Sequence, residues 1–67
     1  MINIKVNNQN HKFKVNSTLD HVLEMLDISP QGIALAVNQD IITKSLWKTC
    51  TLTEGDSVLI ITATQGG

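Results

Sequence analysis

At 67 residues the chain is one domain, and a domain of this size buries only about 60% of its unfolded surface, leaving space for a single core and no deep cleft. Hydrophobic residues at 42% against charged residues at 16% are too apolar a balance for a disordered chain. Five lysines, no arginine and six acids give a net charge of −1, which argues against nucleic acid as a partner.

Ile2, Ile4 and Val6 alternate with Asn3, Lys5 and Asn7, and the alternation resumes at Lys12, Phe13, Lys14 and Val15. This pattern predicts a β-hairpin over residues 2 to 15 with its turn at Asn8-Gln9-Asn10, where asparagine tolerates positive φ. Lys12 and Lys14 would share a solvated strand face near Lys5. Base-stacking aromatics are absent apart from Phe13 and Trp47, so the lysines do not make a nucleic-acid surface.

Ser17 or Thr18 can cap a helix with Asp20 in its first turn. Leu19, Val22, Leu23 and Leu26 fall at i, i+3, i+4 and i+7, with Asp20, His21, Glu24 and Asp27 on the opposite side. One face is therefore buried. The helix is expected to end before Ser29-Pro30, and Gly32 frees the backbone to enter a strand.

In Ile33-Ala34-Leu35-Ala36-Val37 the large residues should meet the helix, while Ala34 and Ala36 face outward. Asn38-Gln39-Asp40 reads as a turn and Ile41-Ile42 as a short strand. An irregular stretch from Thr43 to Thr53 follows, pinned to the core by Leu46, Trp47 and Leu52. After a turn at Glu54-Gly55-Asp56, residues 57 to 63 are nearly continuous apolar residues, as expected of a strand in mid-sheet.

The order β-β-α-β-(β)-β, with the last strand parallel to the first, predicts an α+β fold: a β-grasp (ubiquitin-like) roll with a mixed sheet of four to five strands and one main helix across it. Residues 1–63 form the domain, and 64–67 are expected as a flexible tail.

Cys50 is the sole cysteine, so no internal disulfide can form; with no apolar leader and no apolar run near 18 residues, the expectation is a cytoplasmic, monomeric chain off the membrane. His11, His21 and Cys50 are too scattered for a zinc site. Cys50 reads as a small half-buried residue, and the two histidines as surface residues. Trp47 reads as core under the long loop, in preference to a partner anchor.

The sequence ends in Thr64-Gln65-Gly66-Gly67. With glycine at about 7% of residues, two at the end arise by chance roughly once in 200 chains, so the α-carboxylate of Gly67 is the leading functional group. Without Cβ atoms, Gly66 and Gly67 let a partner's backbone close around them. A terminal carboxylate is ionised at neutral pH and a poor electrophile, so it must be activated. The chain holds neither a Gly-x-x-x-x-Gly-Lys loop nor a Gly-x-Gly-x-x-Gly turn, so nucleotide chemistry must come from a partner. The expectation is a protein co-substrate, not an enzyme, with no bound cofactor and no metal.

Leu35-Ala36-Val37-Asn38, Ser45-Leu46-Trp47, Leu52-Thr53-Glu54-Gly55-Asp56-Ser57-Val58 and Thr62-Ala63-Thr64-Gln65-Gly66-Gly67 together resemble the ThiS-type sulfur carrier family of thiamine biosynthesis. Thr43-Lys44 departs from the Pro-Arg often found before Ser-x-Trp, and Leu59 stands where an acid is common. The resemblance implies that an E1-like adenylating enzyme uses ATP to adenylate Gly67. A sulfur donor such as a cysteine desulfurase then supplies sulfur, and the resulting thiocarboxylate serves thiazole synthase. A carrier of the molybdopterin synthase small-subunit type, and a ubiquitin-like modifier or interaction module, remain open as other readings.

The family's acid between the positions of Val58 and Ile60 implies that those two residues point inward. Leu59 and Ile61 then face outward beside the small Ala34 and Ala36, forming the expected partner-docking face. Gln65 and Gly66 complete the tail that would reach into the partner.

Overall fold

The computed structural model describes residues 1–62, and the expected tail 64–67, with Gln65, Gly66 and Gly67, lies outside the described residues. Its elements are β1 (Ile2–Val6), β2 (Gln9–Phe13), α1 (Leu19–Met25), β3 (Ile33–Val37), β4 (Asp40–Ile42), a short 3-10 turn (Lys44–Leu46) and β5 (Ser57–Thr62). The five strands form one sheet in the order β2-β1-β5-β3-β4. β5 lies in the middle, parallel to β1 and antiparallel to β3. A mixed five-stranded sheet with one main helix is the expected β-grasp roll.

The first hairpin is tighter than its sequence pattern predicts. Ile2 pairs with Phe13 and Val6 with Gln9, so the turn is Asn7-Asn8, with φ of 50° and 69°, and not Asn8-Gln9-Asn10. Two consecutive positive φ values are what a two-residue hairpin turn needs to match the strand twist, and asparagine adopts them at low cost. β2 therefore closes at Phe13, and Val15, expected inside the hairpin, is exposed beyond it. Lys5 and Lys12 do share the outer face, opposite Asn10 and Asn3 respectively, whereas Lys14 follows the strand.

Thr18, not Ser17, is the helix cap: its hydroxyl accepts the His21 N–H at 3.2 Å. Ser17 is buried and its hydroxyl donates to the Lys14 carbonyl at 2.7 Å. The helix ends before Ser29-Pro30, as expected, with Met25 its last residue. Asp27 takes φ 58°, and the Ile28 N–H reaches back to the Leu23 carbonyl at 2.9 Å while the Asp27 N–H reaches that of Glu24 at 3.1 Å. These paired bonds are a Schellman cap, which satisfies the last carbonyls of the helix and brings Ile28 back toward the core.

Leu19, Val22 and Leu23 from the helix, Ile2, Ile4 and Val6 from β1, Phe13, Leu35 and Val58 from the other strands, and Trp47 and Leu52 from the long connection make the core. Trp47 sits at 2% exposure, and its indole N–H donates to the Ile42 carbonyl at 2.9 Å. Its core assignment holds. Leu46, expected to pin the same loop, is 52% exposed instead. The 3-10 turn points it outward, and Trp47 and Leu52, with the half-buried Ile42 and Cys50 against them, fill that part of the core.

Candidate functional site

Among the described residues the sheet has one face against the helix and one without an element over it, and the register decides what the second face carries. Leu59 stands opposite Ala36, Ile61 opposite Ala34, and Ile41 opposite Ala36 from the other side. Because directly paired residues share a face, Ala34, Ala36, Ile41, Leu59 and Ile61 form one apolar patch spanning β4, β3 and β5. Leu59 is 48% exposed, Ile61 40% and Ile41 66%, whereas Val58 on the same strand is 1% exposed. The inward and outward assignment of β5 inferred from the sequence is therefore the one observed.

Ala36 differs in detail from its expected exposure. It is 3% exposed, because the longer Leu59 and Ile41 flank it on both sides. It acts as the floor of the patch. Ile41 is the residue that the sequence reading missed, though a signal was present: a two-residue turn at Asn38-Gln39, with φ of 50° and 76°, puts position 41 opposite position 36.

Toward β1 and β2 the same face becomes polar. Asn3, Lys5, Asn10 and Lys12 occupy it, and Ser57 of β5 stands beside Lys5. The face is thus half apolar and half basic-polar.

Two polar networks fix the start of β5. Asp56 accepts the Thr53 N–H at 2.9 Å and the Asn38 side-chain amide at 3.0 Å, and Asn38 in turn accepts the Ser57 N–H at 3.0 Å. Glu54 accepts both the backbone N–H and the side-chain amide of Asn3, each at 3.0 Å. Those bonds, the backbone one foremost, hold the Glu54 carboxyl below its ordinary value of 4.5, since both stabilise the charged form.

Beyond its start, β5 is held by Asn7, whose N–H donates to the Val58 carbonyl at 2.9 Å and whose side-chain oxygen accepts the Ile60 N–H at 2.7 Å. In the sequence Asn7 stands out only as a polar residue alternating with Val6. No local pattern marks a bond across 53 positions.

The other residues singled out in the sequence are not brought together. Cys50 is a free, half-buried thiol against the core. His11 packs its ring 6.1 Å from that of Phe13, and the Lys44 ammonium lies 5.9 Å from the Trp47 ring centre. Among the described residues no group of three or more histidine, cysteine or acidic side chains is arranged to hold a metal ion, and no helix is long and apolar enough to cross a membrane.

Residues 4–67 of the sequence match the ThiS family. The chain belongs to the ThiS family. The sulfur carrier protein ThiS of Escherichia coli (strain K12) is 33% identical over 64 residues, covering 96% of this chain and 97% of that one. The crystal structure of the thiamine biosynthesis protein ThiS from Geobacter metallireducens superimposes with a TM-score of 0.85 at 17% identity, covering 98% of this chain and all of that one. At that identity the second likeness speaks for the β-grasp fold.

Proposed function

We propose that the chain is a sulfur carrier for thiamine biosynthesis in which the Gly67 carboxylate is the reacting group. The observation that carries this reading is the family match, which extends from residue 4 to Gly67. It covers the patterned domain and the diglycine end together, and the Escherichia coli relative is named a sulfur carrier.

The chemistry follows from the carboxylate. One of its oxygens attacks the α-phosphorus of ATP on an adenylating partner, pyrophosphate leaves, and the carbonyl carbon now carries AMP as a good leaving group. A donor at the sulfide level attacks that carbon, a C–S bond forms, the C–O bond to AMP breaks, and one oxygen has been exchanged for sulfur. The thiocarboxylate then delivers sulfur to thiazole synthase. The chain is the co-substrate in these steps, and ATP is bound by the partner.

The domain's share of the work is recognition. The patch of Ile41, Leu59 and Ile61 over Ala34 and Ala36 is an apolar surface whose exposure to water is costly, and a partner covering it recovers about 1.5 to 3 kcal/mol for a well-buried leucine. β5 carries Leu59 and Ile61 and ends at Thr62, five positions before Gly67, so a partner that grips this face holds the domain within a few residues of the reacting terminus.

Intact mass of the chain isolated from its own cells tests the reading. A carrier shows a fraction with one sulfur in place of one oxygen, whereas conjugates of higher mass would make it a modifier and overturn the proposal.

A further inference from the structure

The pairing of β1 with β5 ends at Val6 and Val58, because the chain turns away at Asn7, where φ is 50°. β5 nevertheless continues to Thr62, held on its other side by β3 through the pairs Leu35 with Ile60, Ala34 with Ile61 and Ile33 with Thr62. On the β1 side the next backbone groups needing partners belong to Ile60. Asn7 supplies them from its side chain: Oδ1 accepts the Ile60 N–H at 2.7 Å, and Nδ2 lies 3.5 Å from the Ile60 carbonyl oxygen as the longer, weaker donor. A primary amide offers the same donor and acceptor as a peptide group. The Asn7 side chain thus stands where one more residue of β1 would have been.

Ile60 lies between Leu59 and Ile61, the two β5 residues of the apolar patch, and seven positions before Gly67. We propose that Asn7 is a positioning residue: by completing the β5 ladder at Ile60 it holds the docking strand, up to Thr62, in one fixed relation to the domain. This rests on the carrier reading given above. A terminus delivered to an active site gains rate from being aimed, and a strand free to splay at Ile60 would let a docked domain present its carboxylate off line. Asn7 as a turn former alone would need only its positive φ, which glycine supplies equally well.

Asn7→Gly, in the full chain, separates the two roles, since it keeps the turn and removes the clamp. Asn7→Asp keeps the Oδ1 acceptor and replaces the weaker donor by a second carboxylate oxygen, adding one negative charge. Asn8→Gly alters the same turn without touching Ile60.

In the free protein, Asn7→Gly should exchange its Ile60 amide hydrogen about tenfold faster than the wild type while Leu59, paired to β3, is unchanged. Asn7→Asp and Asn8→Gly should leave Ile60 within about twofold. In ATP–pyrophosphate exchange with the adenylating enzyme, Asn7→Gly should lower kcat by about three- to tenfold with KM within about twofold, and the other two variants should stay near wild type.

Unchanged Ile60 exchange in Asn7→Gly would overturn the clamp. Faster exchange with kcat unaltered, or a loss confined to KM, would overturn the positioning role, the latter making Asn7 a docking contact. A fall in kcat in Asn7→Asp with Ile60 still protected would do the same, without reliance on the glycine variant. Absence of pyrophosphate exchange with the wild-type chain would remove the carrier reading and the positioning role together, whereas the hydrogen-exchange comparison judges the clamp by itself.

Discussion

At the scale of single residues, Glu54 links the turn before β5 to the first strand. Its bonds to the Asn3 N–H and amide require the carboxylate, and they lower its pKa in the folded chain. A lowered folded pKa means stability that is present above the ordinary value of 4.5 and is lost as pH falls through the folded one. Glu54→Gln should therefore be less stable than the wild type at pH 7, and the gap should narrow as pH falls below 4.5. Chemical denaturation at several pH values checks this; a gap constant with pH would mean that the charge contributes nothing. The role of Trp47 was legible in the sequence because a large aromatic in an aromatic-poor chain has more to gain in the core than on the surface. Glu54 and Asn7 were not, since their partners stand 51 and 53 positions away and only the closed sheet brings them near.

At the scale of elements, hydrophobic pattern marks each strand and the helix among the described residues, and the differences fall at their ends. The hairpin turn was misplaced because polar residues run from Asn7 to Lys12, and several two- or three-residue turns fit such a run. Only the pairing of Ile2 with Phe13 selects one. The helix is expected to end before Ser29-Pro30 and does so, the backbone reversing at Asp27. An aspartate at φ 58° is a tolerated but imperfect choice where glycine is preferred. Asp27→Gly should raise stability by about 0.5 to 1 kcal/mol, because it removes the Cβ conflict at that position. Thermal unfolding measures it; a lower midpoint would show that the aspartate side chain contributes more than its backbone conformation costs.

At the scale of the whole molecule, the sheet separates a packed face from a face that remains apolar over β3, β4 and β5. The apolar patch was legible through strand parity, apart from Ile41, whose place depends on how the Asn38-Gln39 turn folds back. Leu59→Asp should leave the circular dichroism spectrum and the thermal midpoint near wild type, because Leu59 is 48% exposed. Its affinity for the adenylating enzyme should fall about tenfold or more, as expected when a buried apolar contact is replaced by a desolvated charge. An unfolded variant would place Leu59 in the core, and unchanged affinity would place the docking surface elsewhere. The central claim is that Gly67 is the atom-bearing end of a sulfur carrier, and intact mass after incubation with the adenylating enzyme, ATP and a sulfide-level donor tests it most directly. The full chain should gain one sulfur for one oxygen and a chain ending at Gly66 should not, whereas equal charging of the two would contradict the account.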